Sequence, residues 1–375
     1  IGMKILLAGG GTAGHINPAL AIAQYIRDRH PDAGILFVGN EQGMEKRLVE
    51  KAGFNFAPID VRGFRRKINF ENIKHNAGAF RRMFTSSVQS EKIIKDFKPD
   101  IAIGTGGYVS GPVIRKCAKM GIPTVIHEQN AFPGVTTKML SKDAKCVMLA
   151  VADAKKHLDP KCHIEITGNP LRREILSADR MQSRQELSID SRPLVLSFGG
   201  SLGADRINKA VAELLAWSYR EGNIYNIHGT GKSGYVSFIK QLEALNIPLG
   251  QDTRIWVRDY IDDMPRCLAA ADLVISRAGA ISISELQAQG KASILIPSPN
   301  VAENHQYHNA MALVKKNAAV MIEEKDLTGA NLIKMVKELT SDRKKLMEIG
   351  NNAKNMAILD SRERIYAIIM KVLNK

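Results

Sequence analysis

Short apolar runs alternate along the chain with longer stretches of helical period, and most of the runs end in glycine-rich or polar turns. Residues 3–8, 34–39, 56–61, 101–104, 123–126 and 146–149 read as buried strands of a first half. Residues 194–198, 223–228, 253–257, 271–276 and 291–296 repeat the pattern in a second. Residues 19–26 read as a helix that begins at Asn17-Pro18, because proline suits a first turn, and 45–52 as one that stops at Gly53. A further helix runs through Leu215, another ends near Gly290, and 331–375 keeps a helical period. Strands alternating with helices predict parallel sheets. The chain therefore reads as two doubly wound, Rossmann-like α/β domains joined near residue 164, facing across a cleft. At 375 residues each half is long enough to bury a core of its own.

The chemistry gathers where strands end. Gly9-Gly10-Gly11-Thr12-Ala13-Gly14-His15 follows the first strand. A glycine turn opening a helix offers backbone N–H groups and the positive end of the helix dipole to an anion. Gly9, Gly11 and Gly14 spell the dinucleotide fingerprint, but the acid expected about 20 residues on has only Glu41 as an offset candidate. His15 is what such a loop does not ask for: an imidazole placed at a ligand's reacting end and suited to proton transfer. Its bland alternative is a histidine capping its own helix or packed under the loop. Gly104-Thr105-Gly106-Gly107-Tyr108-Val109-Ser110-Gly111-Pro112 makes a second loop at the end of a strand. His127-Glu128-Gln129-Asn130 follows a buried strand, and four polar side chains there are costly unless they meet a ligand or each other. In the second half Gly199-Gly200-Ser201-Leu202-Gly203-Ala204 can hold a diphosphate through backbone N–H groups and the Ser201 hydroxyl. Glu285 falls in the first turns of a helix after Arg277-Ala278-Gly279, where a carboxylate suits the dipole or a ribose diol.

Composition narrows the class without naming it. The four cysteines (Cys117, Cys146, Cys162, Cys267) show neither a C-x-x-C pair nor zinc spacing and fit a reducing cytosol. The chain reads as having no secretory leader, and no apolar run approaches the length of a membrane span. A net charge of +15 points to an anionic partner, whether nucleic acid, an acidic membrane surface or a phosphorylated substrate. Between residues 62 and 89, Arg62, Arg65, Arg66, Lys67, Lys74, Arg81 and Arg82 alternate with Phe64, Ile68, Phe70, Ile73, Phe80, Met83 and Phe84. That stretch, Arg62 to Gln89, suits either a membrane interface or an ordinary solvated helix with a core-facing side.

The glycine loops, the 127–130 stretch, Gly168-Asn169-Pro170-Leu171-Arg172, Ile261-Asp262-Asp263-Met264, 277–285 and Gln306-Tyr307-His308-Asn309 together resemble, in order and over essentially the whole chain, the MurG family of GT-B glycosyltransferases. Ala13 and Leu202 depart from the family's usual glycine and glutamine, in loops read mainly through their backbone. The resemblance implies a GT-B fold, with an N-terminal acceptor and membrane domain over 3–163, a UDP-GlcNAc-binding domain over 164–355, and a C-terminal helix of about 356–375 packing back on the first. It implies a UDP-GlcNAc donor contacted by Thr12, Ala13, Gly14, Asn130, Arg172, Ser201 and the backbone of Ile261. Ala280, Ile281, Ser282, Ile283, Ser284 and Glu285 would wrap diphosphate and ribose, and Gln306 the sugar. Gly11, Gly106, Gly107, Tyr108 and Ser110 would face the diphosphate of a lipid-linked acceptor, lipid I.

The reaction so implied is inverting: the C4 hydroxyl of the acceptor's MurNAc attacks the anomeric carbon, UDP leaves, and lipid II forms for peptidoglycan. His15 is the candidate base with Glu128 as understudy, and helix N-termini and Arg172 would meet the leaving diphosphate. No cofactor and no catalytic metal are implied, since no D-x-D pair follows a strand. The family also implies a peripheral enzyme on the cytoplasmic face of the bacterial inner membrane. It would touch anionic lipid through Arg62–Gln89, bind no nucleic acid, and meet other wall-synthesis proteins. Rival readings are a same-fold transferase with another lipid acceptor such as a diacylglycerol, a UDP-GlcNAc epimerase, and a non-catalytic UDP-sugar or membrane scaffold.

Overall fold

The structure is a computed structural model that describes residues 2–61, 85–200 and 204–374. The chain divides into two compact units, Ile1–Leu171 with Asp360–Lys375, and Arg172–Leu359. In the first, β1 (Lys4–Gly9), β2 (Gly34–Asn40), β3 (Asn55–Ile59), β4 (Ile101–Gly106), β5 (Thr124–Glu128), β6 (Cys146–Leu149) and β7 (Ile164–Ile166) form one sheet. Its order is β3-β2-β1-β4-β5-β6-β7, with every pair parallel. Neighbouring residues of a strand point to opposite faces, so Ile5, Leu7 and Ile103 enter one buried cluster and Leu6, Ala8 and Ala102 another. Burial on both faces is why these strands read as unbroken apolar runs.

In the second unit, β8 (Leu194–Phe198), β9 (Tyr225–Gly229), β10 (Ile255–Arg258), β11 (Leu273–Ser276), β12 (Ala292–Leu295) and β13 (Val320–Met321) pair in the order β10-β9-β8-β11-β12-β13, again all parallel. Each sheet reverses its winding beside its first strand, between β1 and β4 and between β8 and β11. In open α/β sheets the crevice at the carboxyl ends of such strands is where ligands sit.

The structure moves three sequence-derived boundaries and adds one strand. The first helix is Ala13–Arg29 and not one starting at Asn17-Pro18, because the N–H groups of His15 and Ile16 already bond Thr12 O (3.1 and 3.2 Å), leaving Pro18 inside the helix. The division between units falls after Leu171 and not near residue 164. Ile164–Ile166 pairs with Val147–Leu149, and the N–H groups of Thr167 and Gly168 both bond Leu149 O. The two-residue strand Val320–Met321 is too short to carry a pattern of its own. The last helix is Ser361–Leu373; its Ile365 and Ile369 join the cluster of Ile5, Ile22 and Ile26, and His30 Nε2 lies 2.7 Å from the Tyr366 hydroxyl.

Candidate functional site

In the first unit the glycine loops after β1 and β4 are packed against each other, with His15 between them. His15 is the third residue of its helix, so the turn that the glycines make carries its ring back over the loop. His15 Nδ1 lies 3.2 Å from Gly10 O and 3.1 Å from Thr12 Oγ1. A carbonyl only accepts, so Nδ1 bears the proton and Nε2 the lone pair. The second loop shapes the space around that ring. A Cβ on Gly106 would lie 2.7 Å from His15 Cδ2, and one on Gly107 would lie 2.0 Å from Gly10 O. Both residues also hold positive φ, 104° and 83°. Gly10 N donates to Gly106 O (3.3 Å), the Thr105 hydroxyl donates to His15 O (2.7 Å), and a Cβ on Gly11 would lie 2.8 Å from Tyr108 Cε1. Burial raises the Tyr108 phenol above its ordinary value.

The polar stretch at the end of β5 turns out to satisfy itself. Glu128 is buried; its Oε1 accepts from the N–H and Nδ2 of Asn130 (3.0 and 3.1 Å), and its Oε2 from Gly134 N and the Thr137 hydroxyl (3.0 and 2.5 Å). Four donors make Glu128 the anchor of the 130–137 loop, a structural task it holds beside its candidacy as understudy base. His127 donates from Nε2 to Gly168 O (2.9 Å) and accepts at Nδ1 from Gln129 Nε2 (3.0 Å), which also donates to Thr105 O (2.9 Å). Complete burial lowers the His127 pKa and keeps the ring neutral. The chain His127–Gln129–Thr105–His15 thus braces the catalytic candidate from behind. Ser110, expected at a diphosphate, is instead fully buried with its hydroxyl against Gly104. A hydroxyl enclosed there reaches no ligand.

In the second unit the loop after β11 opens the helix Ala280–Ala288, with Gly279 at its N-cap and no capping side chain. Ile283 faces the core and the Ser284 hydroxyl bonds back to Ala280 O (3.1 Å), so what this turn offers an anion is mainly backbone N–H. Glu285 and Arg172 meet, with Arg172 Nη2 3.5 Å from Glu285 Oε1. The glutamate is largely enclosed and the arginine mostly exposed; burial raises the Glu285 carboxyl, and Arg172 partly opposes that. Gln306 Oε1 accepts from Ser298 N (2.8 Å), which leaves its amide nitrogen as the group to present. The turn before it is strained, with Glu303 and Asn304 both at positive φ, as at many binding turns. The Ile261 side chain is buried against Gly229, so only its backbone can read a ligand edge.

Sequence reasoning missed a buried support under the third loop. The Ser197 hydroxyl donates to His228 Nδ1 (2.8 Å), and His228 Nε2 donates to Asn208 Oδ1 (2.9 Å). Burial pushes the pKa of His228 down to about 3 and holds it neutral. These residues sit on β8, on β9 and in the helix Asp205–Arg220, the elements that flank the loop. The signal was present only as a histidine inside an apolar strand. Ser201 itself, and residues 62–84 of the basic stretch, lie outside the described residues.

Residues 5–149 match the glycosyltransferase family 28 N-terminal domain, and residues 194–365 its C-terminal domain. A UDP-N-acetylglucosamine–N-acetylmuramyl-(pentapeptide) pyrophosphoryl-undecaprenol N-acetylglucosamine transferase of Acetivibrio thermocellus is 46% identical over 372 residues, which cover 99% of this chain and 98% of that protein. The chain belongs to glycosyltransferase family 28, among these N-acetylglucosamine transferases.

The crystal structure of Acinetobacter baumannii MurG matches this family 28 transferase with a TM-score of 0.78 at 26% identity, over 98% of this chain and 99% of that one. A UDP-GlcNAc 2-epimerase of Neisseria meningitidis, bound to UDP-GlcNAc, covers 98% of this chain and all of its own length (100%) with a TM-score of 0.65 at 14% identity, and shares the fold alone. Both sheets of the transferase are thus those of a GT-B enzyme. Within its first unit, Gly11, Gly106, Gly107 and Tyr108 come together around His15, while Glu128 and Ser110 serve the scaffold. Within its second, Arg172, Glu285 and the Ala280 turn share one region.

Proposed function

We propose that this transferase moves GlcNAc from UDP-GlcNAc to the C4 hydroxyl of the MurNAc of a pyrophosphoryl-undecaprenol muramyl-pentapeptide, the lipid I to lipid II step. The observation that carries the mechanism is the 3.2 Å contact of His15 Nδ1 with Gly10 O, which assigns the ring proton to Nδ1 and the lone pair to Nε2. The acceptor hydroxyl gives its proton to Nε2 as its oxygen bonds to the anomeric carbon; the bond from that carbon to the diphosphate breaks on the opposite side, and UDP leaves. Arg172 and the N-terminus of Ala280–Ala288 meet the charge that builds on the leaving group, Glu285 takes ribose hydroxyls, and Gln306 the sugar. The two glycine loops of the first unit hold the acceptor's diphosphate through backbone N–H groups. The chemistry asks for no metal, because backbone donors and a guanidinium answer the diphosphate charge.

A lipid acceptor places the enzyme at a membrane surface as a peripheral protein. Its charge of +15 supports attraction to anionic lipid, and among the described residues no helix is long and apolar enough to cross a membrane. UDP release, measured with and without a short-chain lipid I analogue, tests the reading. Release that needs the analogue and yields a β1,4-linked disaccharide supports it; conversion of UDP-GlcNAc without acceptor supports an epimerase or hydrolase. His15→Asn should lower kcat about 10²–10⁴-fold with UDP-GlcNAc affinity unchanged, and a loss of only a few-fold would remove His15 as base.

A further inference from the structure

One carboxylate under the first glycine loop is buried more deeply than its local task requires. Glu45 stands in the first turn of the helix Met44–Lys51, where the helix dipole favours an acid. An exposed side chain would serve the dipole, yet Glu45 is 1% exposed. Three glycines from three elements make room for it. A Cβ on Gly39, in β2, would lie 2.7 Å from Glu45 Cγ, and one on Gly43, at the N-cap of the helix, would strike Oε2. A Cβ on Gly10, in the first loop, would lie 2.7 Å from Oε1. Oε1 accepts from Asn40 N (3.0 Å), while Oε2 is buried without a hydrogen-bond partner among the described residues. Burying a carboxylate in this way is costly, and a neutral side chain of the same size would avoid the cost.

The charge lies directly behind the base. Gly10, against Oε1, is the residue whose carbonyl accepts from His15 Nδ1 (3.2 Å). Backbone dimensions then put the carboxylate on the order of 6–9 Å from the imidazole. The same charge reaches the second loop. Burial holds the Tyr108 phenol above its ordinary value, the Asn40 amide opposes that, and Glu45 adds to it. The other titratable groups beside this region, among the described residues, are Lys46, which pairs with Glu41 (3.7 Å), and Glu128, whose oxygens take four donors.

We propose that Glu45 is the positioning residue of the base, its buried charge supporting, across Gly10, the positive charge that His15 takes on with the acceptor's proton. It does through one peptide what a carboxylate on Nδ1 does in a catalytic triad. At an effective dielectric of about 20, one charge at this range favours the protonated ring by about one to two pH units. The proposal rests on the transferase reading, in which His15 is the base, and deepens it.

The test follows kcat against pH with UDP-GlcNAc and a short-chain lipid I analogue. It compares the full wild-type chain with Glu45→Gln, Glu45→Asp, His15→Asn and the double variant His15→Asn/Glu45→Gln. Gln keeps the size and an acceptor for Asn40 N and drops the charge. The acid limb of its profile should move down by about one to two pH units, because the base without that charge gives up its proton at lower pH. On the plateau kcat should fall about three- to tenfold, since about half of the lost basicity is felt in the transition state. KM for both substrates should stay within about twofold. Glu45→Asp keeps the charge and should keep the acid limb in place, even where its shorter reach lowers the melting temperature. In His15→Asn no imidazole is left to support, so adding Glu45→Gln should cost kcat nothing further. An acid limb that stays put in Gln or moves equally in Asp, or an added loss in the His15→Asn background, overturns the role of Glu45 and leaves His15 as base. A His15→Asn enzyme that loses only a few-fold overturns the base reading, and the role of Glu45 with it.

Discussion

Gly10 O takes the Nδ1 proton of His15, and Gly107 approaches the same carbonyl so closely that no side chain fits between them. The base candidate, its tautomer and the second loop thus depend on one peptide oxygen. Gly107→Ala should therefore destabilise the protein by about 2–5 kcal/mol, combining left-handed strain with the clash, and kcat should fall with it. Gly121→Ala is the control, because Gly121 shares a positive φ (80°) but a Cβ there meets nothing within 4 Å. It should destabilise by about 1–2 kcal/mol and leave kcat unchanged; equal losses in thermal melts and turnover would refute the shared-oxygen account. At this scale the sequence showed His15 because a histidine after a phosphate-type loop is out of place. It could not show that Glu128 spends its oxygens on Asn130, Gly134 and Thr137, or that Ser110 turns inward, since both facts depend on contacts made by the folded loops.

Most strands were legible because parallel strands buried on both faces are apolar at every position, and their loops were legible through glycine. The start of Ala13–Arg29 was not, since Pro18 is a strong local signal that the Thr12 carbonyl overrides. A second illegible feature is Lys291, at the entrance to β12. It is buried and donates from Nζ to Ala269 O and Ala271 O (2.7 and 2.9 Å), at the end of the helix Met264–Ala270. Burial pushes its pKa down to about 7, with Arg180 adding to the fall and Asp272 opposing it. The folded pKa lies below the unfolded value, so between about pH 7 and pH 10.4 the unfolded chain holds a proton that the folded chain lacks. Stability from this group therefore rises with pH across that window and is lowest below about 7. Urea midpoints at pH 6.5 and pH 9 should differ less in Lys291→Met than in the wild type; an identical pH response would count against the buried lysine as its source.

Across the whole chain, each unit owns its core, and the proposed reaction assigns the nucleotide to the second. Ligand binding should then protect one unit at a time. Saturation with UDP at about a hundred times its Kd stabilises whatever binds it by roughly 2.7 kcal/mol. Amide exchange should slow in β8, β11 and Ala280–Ala288, while β1 and β4 keep their rates; slowing confined to β1 and β4 would place the nucleotide in the wrong unit. The architecture was readable from the restarting strand pattern, whereas the exact division was not, because Ile164–Ile166 finds its sheet only through Val147–Leu149. The helix Ser361–Leu373 adds a consequence for synthesis. Ile365 and Ile369 belong to the core of the unit that opens the chain, and all of Arg172–Leu359 is translated before them. At about 5–20 residues per second that interval is on the order of ten seconds or more. On the ribosome the half made first is the last to be completed, and until that helix docks its uncovered face is the one a chaperone would find.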